Sequence, residues 1–143
     1  MANAVYPHFK QSLLTELDAN KSLDQTGANG TYLVLLDIAS PGGHYTYSDT
    51  HQFYTSLSAI QGTELAISTP VVDTGGVFKG DTMVFVNVTG TTVGAFAIFR
   101  KNTGANTTWR LVLYEDTAII GFPVLANGGN IVVDWNDAGI FQL

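Results

Sequence analysis

The sequence predicts a mainly β, single-domain protein: an antiparallel β-sandwich or flattened barrel with a short N-terminal helix. Three observations predict it. Short runs rich in β-branched and aromatic residues fill the last part of the chain, at Met83–Val88, Val93–Phe99, Trp109–Tyr114 and Ile131–Trp135, and such residues favour strands. Gly-, Asn- and Pro-containing turn signals separate them roughly every ten residues, the spacing of a sandwich or barrel. Only one segment, residues 8–17, reads as a convincing helix.

In that segment Phe9, Leu13, Leu14 and Leu17 fall at i, i+4, i+5 and i+8 and make one apolar face. Pro7 suits the first helical position, where a missing N–H costs nothing. A helix this short needs a partner to pack against, so residues 3–17 read as an N-terminal arm. The polar, Gly- and Asn-rich residues 18–30 read as a loop. Residues 31–38, TYLVLLDI, are apolar almost without alternation, which marks a strand buried on both faces or a central sandwich strand. Pro41-Gly42-Gly43 then turns the chain into an exposed aromatic segment with Tyr45 and Tyr47. Residues 49–60 allow a short helical turn capped by Asp49, with Phe53, Leu57 and Ile60 on one face.

Strand character resumes over residues 62–68, and Asp73-Thr74-Gly75-Gly76 joins two short runs as a hairpin. Gly90 and Gly94 bracket a turn at Thr91-Thr92, and residues 102–106 form a hairpin loop across which Trp109–Tyr114 pairs back. Residues 121–129 read as a long connection, Ile131–Trp135 as the last full strand, and residues 140–143 as an apolar close. The expected core is Leu33, Leu35, Val84, Val86, Phe96, Ile98, Leu111, Leu113, Val133 and Trp135. With 143 residues and no internal repeat or composition break, one domain spanning 1–143 is expected.

Composition narrows the function classes. The absence of cysteine excludes disulfides and thiolate chemistry. Six Lys and Arg against a net charge of −6, with no cluster beyond Arg100-Lys101, leave no footprint for nucleic acid. No run is long enough for a membrane helix, and the first residues lack the basic and apolar regions of a signal peptide, so synthesis in a cytosol is expected. Charged residues are only 13% of the chain while 45% are hydrophobic. A surface so poor in charge leans toward assembly.

No constellation of residues predicts chemistry, so no catalytic residue, metal ligand or cofactor is expected, and the chain reads as a non-enzyme. His8, His44 and His51 have no metal-ligand spacing. Residues 134–139 begin like a calcium loop, but Ala138 stands where an oxygen ligand is needed; a turn at residues 137–139 is the simpler reading. Glu115 and Asp116, adjacent on a strand, point to opposite faces and cannot flank one bond as a glycosidase pair does. They read as a solvated turn. Trp109 and Trp135 read as core aromatics. Tyr45, Tyr47 and Tyr54 are the candidate exposed aromatic contacts, for a sugar or a partner protein.

Several segments in order resemble a family of small structural proteins of tailed bacteriophages. They are Ala4-Val5-Tyr6-x-x-Phe9-Lys10-x-x-Leu13-Leu14, residues 31–37, the Tyr45–Phe53 stretch, Gly76-Val77-Phe78-x-x-Asp81, Val86-x-Val88-Thr89-Gly90 and residues 97–104. The most distinctive are Gly121-Phe122-Pro123-Val124 and Asn127-Gly128-Gly129-Asn130-Ile131-x-Val133-x-Trp135, with Gly139-Ile140-Phe141-x-Leu143 at the end. The resemblance covers almost the whole chain. It implies a virion component, most simply a capsid decoration (cement) protein on the head exterior, stabilising the head. Its partners would be the major capsid protein and further copies of itself, as a homotrimer, with neither nucleic acid nor membrane. Tyr6, Phe9 and Leu13 of the arm are then the candidate capsid or subunit contacts. A tail or host-recognition component and a carbohydrate-binding β-sandwich module are the alternatives.

Overall fold

A computed structural model describes residues 3–15, 22–135 and 138–143. The elements in chain order are β1 (Ala4–Val5), α1 (Pro7–Thr15), β2 (Thr31–Leu36), β3 (Ile60–Ala66), β4 (Val71–Val72), β5 (Val77–Lys79), β6 (Met83–Phe85), β7 (Thr89–Val93), β8 (Ala95–Arg100), β9 (Arg110–Glu115), β10 (Val124–Asn127), β11 (Ile131–Val133) and β12 (Phe141–Gln142). The protein is mainly β, as its sequence predicts.

The frame is a five-stranded antiparallel sheet in the order β1-β9-β8-β2-β3. It ends in free edges at β1 and β3, so it is an open sheet and not a closed barrel. The uninterrupted apolar run of β2 lies inside it, with Val34 beside Ala97 and Leu33 beside Ile98 of β8. All six residues of β8 are buried, so both faces of the sheet are covered. Adjacent residues on a strand face opposite ways, which identifies the two covers. Phe96 meets the Trp135 ring edge-on at 5.5 Å, on the side of the smaller β6–β11 ribbon. Ala97 pairs with Tyr114, whose ring meets Tyr45 and Tyr47 at 5.7 and 5.2 Å on the other side. Helix α1 belongs to that second cover through Tyr6, whose ring lies 5.2 Å from Tyr47. Sheet, ribbons and helix share one hydrophobic core, which makes the architecture sandwich-like.

Several expectations are corrected. Leu17 lies outside the described residues, and the buried stripe of α1 is Phe9, Ser12 and, half-buried, Leu13. Leu14, expected on that stripe, is 86% exposed. Ser12 is tolerated in the core because its hydroxyl donates to the Phe9 carbonyl at 2.8 Å. Residues 49–60 hold only a short 3-10 turn at Tyr54–Ser56, and β3 has already begun at Ile60. The Thr91-Thr92 turn is instead the strand β7, paired with β10 inside the supposed long connection. Its Thr-Gly-Thr-Thr sequence carries no hydrophobic run; the pairing comes from its partner. In β6 the expected inward residues are reversed: Met83 and Phe85 are buried, while Val84 and Val86 are exposed. Residues 83–86 are all apolar, so alternation does not select a face; turning the larger Met and Phe inward removes more surface from water. The remaining expected core residues are buried, apart from Trp135, which is half-buried.

Candidate functional site

Three features of the surface and its support bear on function: the aromatic cluster under the N-terminal arm, a cation held between aromatic rings, and an apolar groove between edge strands.

The aromatic cluster gathers Tyr6, Tyr45, Tyr47, Tyr114 and His51. The Tyr6 and Tyr45 hydroxyls are 2.8 Å apart, and the Tyr45 hydroxyl is 2.8 Å from His51 Nδ1. Tyr114 donates to Asp116 Oδ2 at 3.1 Å. Burial, with Tyr45 beside it, holds the Tyr6 hydroxyl far above the usual tyrosine range, and burial lowers the His51 imidazole. Both shifts favour the neutral forms, and the hydroxyl chain fastens Tyr6 to Tyr45 and His51. The backbone adds a second fastening, from Tyr6 N–H to the Val112 carbonyl at 2.9 Å.

Both sets of expected contact residues pack within the chain itself. Tyr6 and Phe9 are fully buried and Leu13 is half-buried in the chain's own core, so the arm spends its apolar face on its own sheet. Tyr45 is only 2% exposed, and Tyr47 and Tyr54 are half-buried against other rings. The three tyrosines form no open strip. Local sequence gives no warning of this, because residues 39–53 are mostly irregular and their burial is set by distant Tyr6 and Tyr114.

Lys101 lies over the Tyr32 and Trp109 rings, 4.1 and 4.3 Å from their centroids, and its ammonium is 2.8 Å from Glu64 Oε1. Arg110 lies over the Phe53 ring at 4.4 Å. Both cations thus sit on aromatic faces, and Lys101 has a carboxylate as well. Trp109 acts as a wall of that seat, stacked on Phe99 at 5.9 Å with its N–H given to the Gly104 carbonyl.

The groove, about 450 Å³, runs between edge strand β3 at Gly62–Leu65 and the Val84–Thr89 segment. Val84 on its wall is 44% exposed and pairs across the ribbon with Val132, 48% exposed. Val86 is more exposed still. Side chains paired this way sit next to each other, so the outer face of the ribbon is a continuous valine patch. The sequence does not reveal it, because Val84 and Val86 read as core.

Glu115 and Asp116 do face different ways, into separate hollows, although Glu115 is half-buried in a cleft rather than solvated. Among the described residues no group of three or more His, Asp or Glu is placed to hold a metal ion. Of the calcium-like loop, Asn136 and Asp137 lie outside the described residues. Among the described residues no helix is long and apolar enough to cross a membrane. No protein-family model matches the chain, and no curated protein matches it.

Proposed function

We propose that the chain is a structural protein of the tailed-bacteriophage virion, a decoration protein that binds the outside of the head and stabilises it as a homotrimer. The observation that carries this reading is the ordered series of motifs, from Ala4 to Leu143, resembling small phage structural proteins. The geometry supports it in two ways. The body is a β core covered on both sheet faces and fastened to its own N-terminal arm, a rigid block suited to repeated docking. The valine-walled groove between β3 and β6 offers apolar surface and free strand edges to a capsid or neighbouring chain. Many weak contacts repeated over symmetric sites then act together against internal pressure. The carbohydrate-binding alternative loses its platform, because Tyr45 is buried and its neighbours are half-buried.

Introducing a charge at Val86, as Val86→Lys, tests the docking surface. Val86 is 66% exposed, so stability should stay within about 0.5 kcal/mol of the parent. Head occupancy in a particle-binding assay should fall by at least about tenfold, since an unpaired ammonium would have to be desolvated in the interface. Full occupancy by a folded Val86→Lys protein would remove this groove from the contact.

A further inference from the structure

A second hollow, of about 240 Å³, opens on the opposite side of the main sheet from the tyrosine cluster. It is lined by Phe96, Glu115, Ile119, Ile120, Asp134 and Trp135, among others. Its floor is fixed by the strand register: Glu115 pairs with Phe96, and Phe96 holds Trp135 edge-on. The Trp135 N–H is given to the Asp81 carbonyl at 2.8 Å, which sets the ring's orientation. Ile120 stands at the rim, 82% exposed.

The carboxylates in this hollow are not equivalent. Asp134 accepts the Thr82 hydroxyl at 2.6 Å. The Glu115 carboxylate takes no hydrogen bond or ion pair among the described residues, and its burial pushes the carboxyl up to about 7. A half-buried carboxylate with no partner is unfavourable until it takes up either a proton or a cation. No basic side chain lines this hollow among the described residues. Lys79 lines the adjoining hollow with Asp81 and is ion-paired with Asp73 at 3.1 Å. Asp116, next in sequence, faces the tyrosine side.

The parts are those of the Lys101 seat: a carboxylate, an aromatic ring and apolar walls. There the chain supplies its own cation; here none is present among the lining residues. We propose that the Glu115–Trp135 cleft is a binding site for an arginine side chain presented by a partner protein, with the guanidinium between Glu115 and the indole and the aliphatic stem along Ile119 and Ile120. Arginine is favoured over lysine because its planar, weakly hydrated head stacks on an indole and loses less on leaving water. The assignment stands on the cleft itself and does not require the partner to be a capsid.

The test uses the free protein and N-acetyl-arginine methylamide, followed by the two indole N–H signals in a ¹⁵N NMR titration. Trp135→Phe identifies the Trp135 signal, and Trp109, already occupied by Lys101, is the internal reference. The Trp135 signal should shift saturably. The neutral citrulline analogue should bind at least about tenfold more weakly, since it lacks the charge that pairs with Glu115. The lysine analogue should fall between them. Binding should strengthen as pH rises through about 7, because the ligand pairs with ionised Glu115. Glu115→Gln should abolish the shift, and Ile120→Lys, at an exposed rim position, should do so independently of any effect of Glu115 on folding. An unmoved Trp135 signal, equal binding of the citrulline or lysine analogue, or a shift that survives both variants would overturn the assignment. Because no particle is involved, failure here is distinct from failure of the virion reading.

Discussion

Asp37→Ala is expected to destabilise the protein by about 3–5 kcal/mol, since three hydrogen bonds to a buried charge are lost together. Asp37 directly follows β2 and is completely buried. Its Oδ1 accepts the backbone N–H groups of Ala39 and Ser40 at 2.8 and 2.9 Å, and its Oδ2 accepts the Thr91 hydroxyl from β7. Its backbone bonds Ala59 before β3 and Tyr45 of the aromatic cluster. One side chain thus ties the central sheet to the β7 ribbon and shapes the turn that delivers Tyr45. Burial alone would raise this carboxyl; the hydrogen bonds outweigh it and hold it well below the usual carboxylate range. A depressed folded-state pKa means that its contribution is complete above the unfolded value, about 4, and is lost as pH falls through the lower folded value. Urea midpoints measured from pH 7 down to pH 2 should therefore fall more steeply for the parent than for Asp37→Asn. Equal slopes, or an alanine variant as stable as the parent, would show that Asp37 is not the tie described here.

Phe99→Ala should cost a comparable amount, about 3–5 kcal/mol, because the removed ring leaves a cavity that rigid neighbours cannot close. Phe99 is fully buried on the sheet. It stacks on Tyr32 and Trp109 and meets Tyr54 at 4.7 Å. Tyr32 and Trp109 form the Lys101 seat, so the loss should spread there. Thermal melting should drop by roughly 10 °C or more, and the Trp109 indole signal should broaden or move while that of Trp135 stays in place. An unchanged Trp109 signal would mean that the seat does not depend on Phe99.

The sequence makes the frame legible where residues have only one plausible environment. The β2 run can be satisfied only inside a sheet, and the loop at residues 102–106 leaves β8 and β9 no partner nearer than each other. Legibility fails where the deciding contact is distant. Strand β7 looks like a turn until β10 lies beside it. Val84 and Val86 look like core until Met83 and Phe85 compete for the same face. Tyr45 lies in a segment with no regular structure, and only Tyr6 and Tyr114, far away in sequence, bury it. The candidate surfaces were the least legible part for the same reason: the aromatic residues expected outside are covered, and the valines expected inside are not. Glu115 looked like half of a solvated pair; its partnerless position becomes visible only when Ile119, Ile120 and Trp135 close around it.

The central claim, that this is a head-surface protein, is tested most directly by its copy number and location on purified particles, by quantitative gel and electron microscopy. A count close to that of the major capsid protein, distributed over the head exterior in groups of three, with heads that burst more readily when the protein is omitted, is the predicted result. A few copies confined to the tail would contradict it.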